Sequence, residues 1–72
     1  MDWNYRIIME DGDIYRLVEV SYNKHGKPVG YNDVFTHCDV DEGPKTLRRV
    51  LRQMLKDTKD KPVLVARNGG FE

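Results

Sequence analysis

Trp3-Asn4-Tyr5-Arg6-Ile7-Ile8-Met9-Glu10-Asp11-Gly12-Asp13-Ile14-Tyr15-Arg16-Leu17-Val18-Glu19-Val20 is the stretch whose reading decides the fold. Its opening alternates. Trp3, Tyr5, Ile7 and Met9 fall on one side of an extended chain, and Asn4, Arg6, Ile8 and Glu10 on the other. Asp11-Gly12 then signals a tight hairpin, because both central residues of a type I′ turn need positive φ, which Gly adopts freely and Asp tolerates. Such a turn sets the register of everything beyond it. It predicts Met9 opposite Ile14, Ile7 opposite Arg16, Tyr5 opposite Val18 and Trp3 opposite Val20.

Working outward, the second strand is expected over about residues 13–22. Asn23-Lys24-His25-Gly26-Lys27 has the spacing of a type I turn closed by a left-handed Gly, the usual three-residue hairpin loop. This turn predicts Asn23 opposite Lys27, Val20 near Gly30 and Glu19 near Tyr31, with a third strand over residues 28–35. Residues 36–43 read as a loop. From Pro44 the period changes: Leu47, Val50, Leu51, Met54 and Leu55 are spaced as one face of a helix. Pro44 suits the first turn, Asp41 and Gly43 are candidate caps, and Pro62 closes any helix before it. Residues 62–67 read as a short apolar strand and 68–72 as a mobile tail. The expected fold is α+β: one domain over residues 1–67, a three-stranded antiparallel meander packed on one amphipathic helix with a short C-terminal strand, β-β-β-α-β.

Composition sets bounds. Seventy-two residues make one small domain with a marginal core. Cys38 is the single cysteine, so no disulfide forms within the chain, and an unpaired thiol fits a reducing, cytoplasmic setting. The N-terminus lacks the basic and apolar regions of a signal peptide, and no apolar run approaches a membrane span. Net charge is zero but polarised. Residues 1–43 hold four basic against nine acidic side chains, and residues 44–72 eight against three, a balance of −5 then +5. That asymmetry suits electrostatic steering or self-complementary packing.

Two surfaces are functional candidates. Under the registers above, Ile8, Tyr15, Leu17, Val29 and Tyr31 share the sheet face that the helix leaves bare, which makes them a candidate partner face for another protein or a second copy. Lys45, Arg48, Arg49, Arg52 and Lys56, with Lys59, form a basic helix face that could meet phosphates, with Tyr15 and Tyr31 beside Arg6 as stacking platforms. His37-Cys38-Asp39 lacks the spaced ligand pairs of a zinc site and the orienting third group of a Cys–His catalyst. Gly69-Gly70 is not a phosphate loop. No metal, cofactor or catalytic residue is expected. The leading expectation is a non-enzymatic protein-interaction module, self-associating or docking another protein; the alternative is a weak nucleic-acid binder using the basic helix.

Trp3-Asn4-Tyr5-Arg6, Val18-Glu19-Val20-Ser21-Tyr22, Gly26-Lys27-Pro28-Val29-Gly30-Tyr31, Leu47-Arg48 and Lys61-Pro62-Val63-Leu64, in this order, resemble a group of short bacterial proteins of unknown function. The likeness spans residues 3–64 and implies a small bacterial-type protein with no assigned activity. Relatives tend to open the helix with Glu-rich sequence, where this chain has Pro44-Lys45-Thr46-Leu47-Arg48-Arg49.

Overall fold

In a computed structural model the described residues are 2–71. They form β1 (Trp3–Glu10), β2 (Ile14–Tyr22), β3 (Pro28–Asp33), a 3-10 turn (Val40–Glu42), α1 (Pro44–Thr58), β4 (Leu64–Arg67) and β5 (Gly70–Phe71). One five-stranded sheet has the order β3-β2-β1-β4-β5, with β4 parallel to β1 and the other pairs antiparallel. The α+β class and the meander–helix–strand order stand, with a fifth strand added.

The first hairpin carries the expected turn and a different register. Asp11 and Gly12 have φ of 53° and 74°, and the Asp13 N–H donates to the Glu10 carbonyl at 3.2 Å. Pairing then resumes at Glu10–Ile14, so Asp13 is one extra residue on the returning chain. Met9 therefore faces Tyr15, Ile7 faces Leu17, Tyr5 faces Glu19 and Trp3 faces Ser21. The slip turns every β2 side chain to the opposite side of the sheet. Val18 and Val20 leave the Trp3–Tyr5 side and become fully buried with Ile8 and Ala66.

The second turn holds as expected. The Asn23 N–H donates to Lys27 O, its side-chain oxygen accepts from the His25 and Lys27 N–H groups, and Gly26 sits at φ 78°. Beyond Tyr22–Pro28 a further shift leaves Val29 as an extra residue, so Val20 pairs with Tyr31. This second irregularity returns β3 to the side first expected for it. β3 stops at Asp33, two residues short of Phe35.

The sheet curls. Its edge strands β3 and β5 approach each other, and the Tyr31 and Phe71 rings meet edge to face at 5.5 Å. Inside the curl lies the core of Ile8, Val18, Val20 and Ala66, flanked by Tyr22, Tyr31, Leu64 and Phe71. The face opposite the helix is thus covered by the sheet itself. Residues 68–71, expected as tail, close this curl. Asn68 and Gly69 have φ of 54° and 79°, the Asn68 N–H donates to Asp11 Oδ1 at 2.9 Å, and Gly70–Phe71 pair with Arg67 and Ala66. Glu72, the end of that expected tail, and Met1 lie outside the described residues.

The helix packs on the other, convex face. Met54 is its buried residue, and Tyr5 is buried on β1. β4 reaches only Ile8–Glu10 of β1, leaving the first half of β1 without a strand on that side. There Asp57 Oδ2, in the last turn of α1, accepts from the Tyr5 N–H at 3.1 Å, and Gln53 Nε2 holds the other carboxylate oxygen at 2.6 Å. A side chain does for this backbone group what a neighbouring strand would do. The Tyr5 hydroxyl is pushed above the ordinary tyrosine range by burial and by the charges of Glu19 and Asp57.

Candidate functional site

The five residues expected to share a bare face do not share one. The slip at Asp13 separates them: Tyr15 and Leu17 lie with Ile7 and Met9 on the helix side, while Ile8 and Tyr31 lie inside the curl. Ile8 is wholly inaccessible, and Val29 is exposed at the bulge. Tyr15 and Tyr31 therefore cannot form a joint stacking platform beside Arg6.

The Tyr31 end of the curl is a polar clasp. Glu10 Oε2 accepts from the Tyr31 hydroxyl at 2.7 Å and pairs with Arg16 Nη1 at 2.8 Å, while Arg16 Nη2 pairs with Asp33. The Arg16 guanidinium also lies 6.0 Å from the centre of the Tyr31 ring. The hydrogen bond from Tyr31 and then that from Arg16 hold the Glu10 carboxyl below its usual range. The same bond to Glu10 is the chief cause that raises the Tyr31 hydroxyl. These groups tie β1, β2 and β3 together across the bulges.

Arg6 closes another part of the sheet. It is buried, donating from Nη1 to the Tyr22 hydroxyl at 3.0 Å and from Nη2 to the Pro62 carbonyl at 2.7 Å, while its Nε has no partner among the described residues. Tyr22 in turn donates to Asn4 Oδ1 at 2.7 Å. The guanidinium thereby anchors the segment that leads from the helix into β4.

The surface left open lies beside α1. A groove of about 240 Å³ runs between the helix and the sheet, lined by Leu17, Phe35, Leu47, Val50, Leu51 and Met54, with Val34 and Thr36 completing the wall. It exists because β3 ends at Asp33 and the chain turns back, laying Val34–Thr36 against the helix. The apolar stripe of α1 is wider than the sheet can cover. Leu51 and Leu55, one turn apart on its shoulder, are 58% and 69% exposed, and Phe35 on the facing rim is 71% exposed. Large apolar side chains gathered about one groove mark a contact surface more than a solvated one.

Across Phe35 lies a second, more polar hollow of about 300 Å³ with His37, Cys38, Asp39 and Glu42 on its wall. The Cys38 thiol donates to the Gly43 carbonyl at 3.5 Å, and the His37 ring meets Phe35 edge to face at 6.4 Å. Both side chains are engaged within their own loop. Among the described residues no group of three His, Cys, Asp or Glu side chains is placed to hold a metal ion.

The basic residues of α1 lie along its outward side. Lys45, Arg48, Arg49, Arg52 and Lys56 are all exposed, and none makes a hydrogen bond or ion pair among the described residues. The first four line a groove of about 270 Å³. Lys45 lies one turn from Arg48 and Arg49, and Arg52 one turn from Arg48, Arg49 and Lys56. Each like-charged pair at that spacing costs about 0.2–0.5 kcal/mol. The first turn holds no acid, and the N-cap is Gly43, with no side-chain bond to the free N–H groups. No helix among the described residues is long and apolar enough to cross a membrane. No protein-family model, curated protein or solved structure matches the chain.

Proposed function

We propose that this protein is a small non-enzymatic interaction module that self-associates through the apolar shoulder and groove of α1, with a second copy of the chain as occupant. The observation that carries this reading is the exposure of Leu51 and Phe35 on one apolar groove, with Leu55 exposed one turn further along α1. The docking surface is thus the convex, helix-bearing side, in place of the five-residue face expected from sequence.

Charge favours a second copy over a stranger. Leu51 stands midway along Pro44–Thr58. A two-fold axis at Leu51 and perpendicular to α1 sets two helices antiparallel, so the N-terminal end of one meets the C-terminal end of the other. The N-terminal end carries Asp39, Asp41 and Glu42 ahead of Lys45, and the C-terminal end carries Lys59 and Lys61 around Asp60, so each end keeps an excess of opposite sign. None of these side chains has an ion partner within its own copy among the described residues. Zero net charge adds no overall repulsion. A helix of this length runs only about 22 Å, so the interface belongs to the small class.

Sedimentation velocity across the micromolar range tests the reading. The wild type should shift from monomer to dimer with concentration. Leu51→Asp should remain monomeric with unchanged circular dichroism, since Leu51 is exposed in the single copy. A wild type that stays monomeric throughout, or a variant that dimerises equally well, would refute it.

A further inference from the structure

We propose that the outward strip Lys45–Arg48–Arg49–Arg52 of α1 is a docking site for the phosphate backbone of double-stranded nucleic acid. Three features of the helix converge. The groove at the strip is lined by these four cations alone. No carboxylate among the described residues neutralises any of them, although the chain carries as many acids as bases. The first turn of α1 itself holds no acid and no side-chain cap, the carboxylates of Asp39, Asp41 and Glu42 lying before it. A helix optimised for stability would place Glu among these positions. This one concentrates like charge on one face, and a polyanion relieves all three unfavourable features together.

The side chains also select the class of polyanion. A single small anion neutralises one or two cations, whereas this strip extends over two helical turns, about 10 Å. Duplex nucleic acid offers a phosphate charge about every 1.7 Å along its axis, so several cations are met at once. Binding to single strands draws on aromatic side chains that stack with bases. No aromatic residue stands on α1. Gln53, the one amide of the helix, is engaged with Asp57 and adds nothing to the strip. The proposed contacts are to phosphate, and such contacts position a duplex without reading its sequence. The strip shares no residue with the apolar shoulder, so it stands or falls independently of self-association.

Fluorescence anisotropy of the whole protein with a labelled mixed-sequence duplex, and with a single strand of equal length, tests the proposal. Four phosphate contacts give a slope of log affinity on log salt of about −3.6, so affinity for the duplex should fall roughly a hundredfold between about 50 and 200 mM salt. Arg52→Glu should weaken duplex binding at least tenfold while its melting temperature stays level or rises, because it removes repulsion with Arg48, Arg49 and Lys56. A duplex affinity that ignores salt, an unchanged Arg52→Glu variant, a tenfold preference for the single strand, or binding to anionic phosphatidylserine vesicles without binding to duplex would each overturn the proposal.

Discussion

Replacing Phe71 by Ala should destabilise the protein by about 2 kcal/mol, although the residue lies next to the C-terminal end of the chain. Truncating a fully buried Phe costs about 3–5 kcal/mol. Phe71 is only half-buried, which roughly halves that figure. Its edge-to-face contact with Tyr31 contributes about 0.5–1.5 kcal/mol within the total. For a domain of this size the loss corresponds to a fall in melting temperature of about 8–16 °C. Thermal unfolding followed by circular dichroism, with urea midpoints as a second probe, measures it. Phe35→Ala, compared at a concentration where both proteins are monomeric, is the control: that residue is 71% exposed, and its truncation should change stability by no more than about 0.5 kcal/mol. Residues 70 and 71 belong to the core because they close the curl. A Phe71→Ala variant as stable as the wild type, or no less stable than Phe35→Ala, would refute it.

Arg6→Ala should cost about 2–3 kcal/mol in urea denaturation, because it leaves the Pro62 carbonyl without its donor and opens a hole beside Tyr22; a change under 0.5 kcal/mol would show that the anchor is dispensable. The Glu10–Tyr31 bond should shape stability at both ends of the pH scale. Glu10 has a lowered folded-state pKa, so its contribution is present above the ordinary carboxylate range and is lost as pH falls through the folded value. Tyr31 has a raised one, so its contribution is complete below the ordinary tyrosine range and is lost as pH rises through the folded value. Tyr31→Phe should shrink the acid limb, where Arg16 still supports Glu10, and abolish the alkaline limb that Tyr31 supplies; limbs identical to the wild type would contradict the assignment.

Much of the fold was legible because turn chemistry is local. Asp11-Gly12 and Asn23–Gly26 take the positive-φ geometries their composition demands, and Pro44 and the Leu47–Leu55 spacing mark the helix. The register was not legible, and the reason is local too. Ile14 and Tyr15 are both apolar, as are Leu17 and Val18, so the strand satisfies either parity. The observed register buries Val18 and Val20 with Ile8 and pairs Arg16 with Glu10 and Asp33, with Asp13 left out of the ladder. The sequence does hold a signal for β5. Asn68-Gly69 between Ala66-Arg67 and Gly70-Phe71 is the same kind of hairpin turn as Asp11-Gly12. Of the candidate surfaces, the basic strip could be read directly, since a helix face follows from spacing alone. The apolar groove could not, because it depends on where β3 stops and how Val34–Thr36 folds back onto α1.

Self-association about Leu51 is tested most directly by a cysteine at its proposed axis. In a Cys38→Ser background, where no other thiol exists, Leu51→Cys should cross-link to its own copy as a disulfide dimer on mild oxidation. Lys56→Cys, exposed elsewhere on the same helix, should remain monomeric. Failure of the Leu51 cysteine to cross-link, or equal cross-linking at both positions, would contradict the antiparallel pairing and the function built on it.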